Sequence, residues 1–193
     1  MPSAVEVIGQ ASSTDSSWIE YTGIPATYDQ LIIIMRGIRV GNDNSTTGTS
    51  LACQFRINGS WCTNHGSSFM NAMHGSTSTQ SQNNDTDIFL VHRLHAQTYY
   101  TNNTTGGMAS VVMEVFNYHD NNSQTNDVIP YYKWQAQAPN IYFANSGDVR
   151  MMRLGGGGIG ANQSTKIPID GFRLKSDTGN LDGGFTIYGV KYD

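Results

Sequence analysis

The side chains best equipped for chemistry in this 193-residue chain are aromatic: Tyr99, Tyr100, Tyr131, Tyr132 and Trp134. Flat rings of this kind stack on sugars, and they fill cores and subunit contacts as often. Binding of a ligand or partner is therefore expected of these five, with core and subunit contact the leading role. Other groups offer less. His92 and His95 are three apart, which on a strand turns them to opposite faces and rules out a shared metal. His65 and His74 fall in a long polar stretch and read as solvated loop histidines. Asp85-Thr86-Asp87 and Asp120-Asn121-Asn122 are rich in oxygen, yet lack the glycine and distant glutamate of a calcium loop, so Asx turns are expected. Glycines 155–158 and Gly160 satisfy the Gly-x-Gly-x-x-Gly dinucleotide pattern, but Ala161-Asn162-Gln163-Ser164 begins no helix to hold a pyrophosphate. A flexible or closely packed loop is expected there instead. No Gly-x-Ser-x-Gly elbow and no His-Glu-x-x-His occurs. Glutamate is confined to Glu6, Glu20 and Glu114, leaving few candidates for a paired-carboxylate site. The expectation is no enzyme, no cofactor and no metal.

Composition limits what can position these groups. Charged residues make up 13% of the chain, about half the usual share, and Gly, Ser, Thr and Asn replace them. That is the make-up of a β-sandwich with long polar loops. Aromatics at 10% and a net charge of only −4 argue against disorder. The same mild acidity, with no Lys/Arg cluster, argues against nucleic acid and membrane as partners. The first residues lack the basic-then-apolar pattern of a secretory signal, so the Asn-x-Ser/Thr triplets are read as chance products of composition.

The stretch that organises the chain is 24–40. Pro25 marks a turn or strand end. Residues 31–35 are all apolar, so Leu31, Ile33 and Met35 line one face of a strand and Ile32 and Ile34 the other. A strand apolar on both faces needs cover on both, from a second sheet and from a loop, another sheet or a partner subunit. Further strands are expected at residues 4–8, 18–21, 51–57, 87–96, 108–118, 129–136, 149–154, 167–174 and 184–192. On the 108–118 strand Val111, Met113 and Val115 share one face, and Val112, Glu114, Phe116 and Tyr118 the other. Asn58-Gly59 marks a two-residue hairpin that sets Phe55 opposite Cys62. Cys53 is then only a diagonal neighbour of Cys62, too distant for a disulfide, and two buried free thiols are expected. Residues 60–82 read as a long polar loop, and 41–50 and 75–85 as loops facing solvent. No repeat and no composition shift divides the chain. The expectation is one all-β domain over residues 1–193, an antiparallel, jelly-roll-like sandwich of about ten strands.

Three stretches carry a family resemblance. Ile24-Pro25-Ala26-Thr27-Tyr28 with Leu31, followed by Arg36 and Arg39, is similar to an Ile-Pro-x-Thr-Tyr-x-x-Leu opening strand. Phe55 with Asn58-Gly59 is similar to a Phe-Asn-Gly-Asp hairpin, although Arg56-Ile57 intrudes and Ser60 stands where an acid is usual. Ile169-Asp170-Gly171-Phe172-Arg173-Leu174 and then Gly184-Phe185-Thr186-Ile187-Tyr188-Gly189-Val190 resemble a C-terminal Gly-Ser-x-Phe-x-Leu-Tyr-Gly-Ile ending. Together they resemble small jelly-roll virion proteins of tailed, often marine, bacteriophages, of the head-decoration, fibre and tail type. The resemblance implies a non-enzymatic particle component made in the bacterial cytoplasm and carried in the virion. Its expected partners are further copies of itself, three being the expected number, and the major capsid protein or other virion subunits. A capsid decoration or cement role is the expected one. A tail fibre or tail-tip domain binding a receptor or host-surface glycan is the alternative.

Overall fold

Period-two alternation decides this architecture. The computed structural model describes residues 2–41, 49–73, 76–94, 108–117, 130–139, 150–159, 168–177 and 179–192. Among them run thirteen strands: β1 (Pro2–Ser16), β2 (Trp18–Thr22), β3 (Gln30–Gly41), β4 (Thr49–Ile57), β5 (Ser60–Trp61), β6 (His65–Met73), β7 (Ser76–Asp85), β8 (Ile88–Leu94), β9 (Ala109–Phe116), β10 (Tyr131–Pro139), β11 (Arg150–Ile159), β12 (Ile169–Ser176) and β13 (Asn180–Tyr192). They form two antiparallel sheets. The larger has the order β1-β13-β3-β9-β10-β11-β6-β7; the smaller has the order β2-β12-β4-β5, with β8 also paired to β4. The chain passes repeatedly from one sheet to the other, giving a jelly-roll-like sandwich.

The organising strand lies third in the larger sheet, between β13 and β9. Leu31, Ile33 and Met35 are fully buried against the smaller sheet's Cys53, Phe55, Phe172 and Leu174 layer, while Ile32 and Ile34 on the outer face are half-buried. On β9 the expected division holds: Val111, Met113 and Val115 point inward and Val112 outward. Three rings knit the layers, Phe55 lying 5.3 Å from Phe172 and Phe172 packing edge-on to Phe185 at 5.0 Å.

The hairpin forms as read. Asn58 and Gly59 both take positive φ (47° and 77°), as a primed turn requires, and Cys62 N–H donates to the Phe55 carbonyl at 2.8 Å. Both cysteines are buried, and no disulfide joins them.

Three expectations are corrected. The polar stretch 60–82 and the solvent loop 75–85 are instead the antiparallel pair β6–β7, joined to β11 through ladder hydrogen bonds. Their Ser, Thr and Gln residues need no apolar alternation because β7 is an edge strand. His65 is correspondingly a core residue and not a solvated loop histidine. Glycines 155–158 continue β11 instead of ending it, pairing with residues 131–134 of β10 and 66–69 of β6. Close packing explains them. A Cβ at Gly157 would sit 1.7 Å from the Gly66 carbonyl oxygen, and one at Gly155 would sit 2.7 Å from the Trp134 ring. The 41–50 loop lies mostly outside the described residues, as do Tyr118, His74, His95 and the 120–122 turn.

Gly157→Ala and Gly66→Ala should therefore diverge. The first must push β6 from β11 and is expected to lower unfolding free energy by about 2 kcal/mol or more. The second meets nothing within 4 Å and should change it by less than about 1 kcal/mol. Urea unfolding of the two variants measures the difference.

Candidate functional site

Of the five aromatic candidates, Tyr99 and Tyr100 lie outside the described residues. Strand β10 separates the other three by alternation. Tyr131 faces outward and is 48% exposed, its ring stacked 4.8 Å from Phe116. Tyr132 and Trp134 point into the sandwich. Both lie in the core, the role that leads for these rings, because residues two apart on a strand share a face and this face is buried. The Tyr132 hydroxyl donates to the Gly66 carbonyl at 3.1 Å, and burial pushes its phenol above the ordinary tyrosine range. Trp134 packs 6.4 Å from Phe69, and the buried Arg153 guanidinium lies 3.6 Å from the Phe69 centroid. Arg153 donates to the Phe89 carbonyl at 3.1 Å, and burial brings its pKa down to about 10.

The outer face of the five-stranded sheet carries a second arrangement that the sequence did not signal. Arg173 lies between Trp61, 4.2 Å from its guanidinium carbon, and Trp18, at 5.7 Å. Two of its donors reach the Gln54 side-chain oxygen, Nε at 2.8 Å and Nη2 closer still. Gln54 in turn donates to the Thr86 carbonyl at 2.6 Å, and Lys175 pairs with Asp87 at 2.8 Å. This ladder pins the start of β8 onto β4 and β12, with Asp87 Oδ1 buried and without a hydrogen-bond partner.

The outer face of the eight-stranded sheet is different, and it divides in two. Cross-strand neighbours make one row of Thr186, Ile34, Val112, Gln135, Leu154 and Met70. Towards β9, β11 and β6 this row is apolar, and Met152 adds to it two residues from Leu154. Val112, Met70 and Met152 are exposed. Beside them Lys133 and Glu114 pair at 3.0 Å, and Glu114 also accepts from Gln30 Nε2 at 2.8 Å. Towards β1 the face becomes concave. A cleft of about 370 Å³ is lined by Gln10, Ser12, Ile34, Arg36, Thr186 and Tyr188 over a floor at Gly184. Among the described residues, no group of three His, Cys, Asp or Glu side chains is arranged to hold a metal ion.

No protein-family model matches this chain, and no curated protein matches it. Among solved structures it is similar to the CBM2 module of the evolved Dit protein of Lactobacillus casei BL23 phage J-1. That likeness covers 95% of this chain and 76% of the other, at 9% identity and a TM-score of 0.30.

His65 supplies a pH dependence. Its ring is buried edge-on to Phe55 at 6.5 Å, and desolvation takes its pKa from 6.5 down to about 4 against the opposing pull of Asp87 and the Cys62 backbone. The unfolded chain therefore binds the proton first as pH falls, so stability is full above about 6.5 and declines towards 4. The loss approaches about 3 kcal/mol. Denaturant unfolding at pH 7 and pH 4.5 should show the decline, and His65→Gln should flatten it.

Proposed function

We propose that this chain is a non-enzymatic structural protein of a bacteriophage particle, a decoration or cement protein of the outer head surface that works as a homo-oligomer. The supporting observation is the apolar half of the eight-stranded sheet's outer face. Val112, Leu154, Met70 and Met152 present an apolar surface, and the Lys133–Glu114 ion pair beside it carries both signs. An apolar strip with charges of both signs beside it suits docking onto a neighbouring copy, head to tail around a closed ring of three. The resemblance of its opening strand, hairpin and C-terminal strands to phage virion proteins supplies the particle context. Three copies joined this way would clamp neighbouring capsid subunits, because an added partner that binds only the assembled shell stabilises it by mass action. The virion is its location, and the major capsid protein its expected neighbour.

A receptor- or glycan-binding domain of a tail fibre or tail tip is the second reading. Exposed Tyr131, held flat by Phe116, favours it.

In sedimentation the purified chain should run as a trimer. Leu154→Glu, which sets a charge in the apolar strip, should leave single copies whose thermal midpoint stays within a few degrees of the parent. A parent chain that sediments as one copy, or that never co-purifies with particles, overturns the proposal.

A further inference from the structure

The cleft on the β1–β13–β3 side is built by matched irregularities. Register shifts occur in β3 between Met35 and Ile38 and in β13 between Asp182 and Gly184, at the same level of the sheet. Gly37 (φ 64°) and Gly183 (φ 119°) make them, and a Cβ at Gly183 would stand 2.7 Å from the Gly37 carbonyl oxygen. On β1 the pairing with β13 shifts again between Ser13 and Ser16. Three neighbouring strands therefore bend together, which is how sheets re-aim side chains around a site. The floor is bare for a separate reason. Gly184 lies between Ser12 and Arg36, and a Cβ there would meet the Ala11 carbonyl oxygen at 2.6 Å and Ser12 Cβ at 2.9 Å.

Around that floor the side chains differ in chemistry. Gln10, Ser12 and Thr186 offer amide and hydroxyl groups; the Gln10 amide meets the Thr186 hydroxyl only at 3.5 Å, a long contact that a ligand can replace. Tyr188 contributes an aromatic surface and Ile34 an apolar one. Arg36 is exposed, and no carboxylate among the described residues pairs with it. The nearest acids by register, Asp15 and Asp182, are engaged elsewhere. Asp182 accepts from the Asp15 backbone N–H at 2.7 Å, and Asp15 accepts from Asn180 at 2.9 Å.

From this geometry we infer that the cleft binds a carboxylate-bearing sugar, such as a uronic-acid residue of an acidic polysaccharide. Arg36 takes the carboxylate, for which a guanidinium is a planar two-pronged partner. Gln10, Ser12 and Thr186 bond the ring hydroxyls, and Tyr188 receives the apolar side of the ring. A cleft of about 370 Å³ falls in the range of small-ligand sites. The cleft borders the apolar strip proposed to join subunits, Ile34 at its rim pairing with Val112 of the strip.

Calorimetry of the full chain with oligogalacturonate and with neutral galactan oligomers tests it. The acidic oligomer should bind, and the neutral one should bind at least tenfold more weakly. Arg36→Ala should weaken the acidic oligomer roughly ten- to a hundredfold and erase the preference. Tyr188→Ala should weaken both sugars, whereas Tyr131→Ala should change neither. All three variants should keep the parent's circular dichroism and sedimentation, which separates failure of this site from failure of the oligomer. Absence of binding to the acidic oligomer, equal affinity for both sugars, or an Arg36→Ala variant that binds like the parent overturns the inference.

Discussion

The constraint on which this structure turns is the alternation of β3. Leu31, Ile33 and Met35 occupy the centre of the core with no exposure at all, and β13 and β9 are ordered against them on both sides. A slip of one residue in either pairing would turn that set outward and bring Ile32 and Ile34 in, so the register admits no neighbour. Because the larger sheet is laid down outward from this triplet, the placement of β10, β11, β6 and β7 follows from it. Alternation on β10 likewise sends Tyr131 to the surface and Tyr132 into the core.

What the inward set secures, the outward set leaves open. Ile32 and Ile34 sit between two unlike neighbourhoods, an apolar one on the β9–β6 side and a polar, concave one on the β1–β13 side. The division comes from the bulges. Regular pairing keeps the first half flat, and the glycines at 37 and 183 bend the second. One sheet thus presents two surfaces of different chemistry.

The parts of the fold legible in the sequence were those whose signal is local. The apolar run of β3, the Asn58-Gly59 turn, the two faces of β9 and the spacing of the two cysteines each rest on residues close in the chain. Strands β6 and β7 were illegible because Ser, Thr, Asn and Gln carry no alternation, and their pairing is imposed by β11. The glycine run misled for a related reason: its identity as strand comes from Trp134 and Gly66 pressing on it from neighbouring strands, which no reading of Gly155 itself discloses. Of the candidate aromatics, the grouping was visible but the inward turn of Tyr132 and Trp134 was not, since a lone strand does not state which face meets the core. The cleft had no local signal at all. Gln10, Arg36 and Tyr188 come from three distant parts of the chain and meet only because β1, β13 and β3 are neighbours.

The two thiols give this molecule a built-in clock. Cys53 and Cys62 lie between the sheets, and burial holds the Cys53 thiol well above its ordinary pKa, so no reagent in solution meets a reactive thiolate while the layers stay closed. Alkylation of either sulfur must wait until the sandwich parts, and its rate therefore counts how often the layers separate.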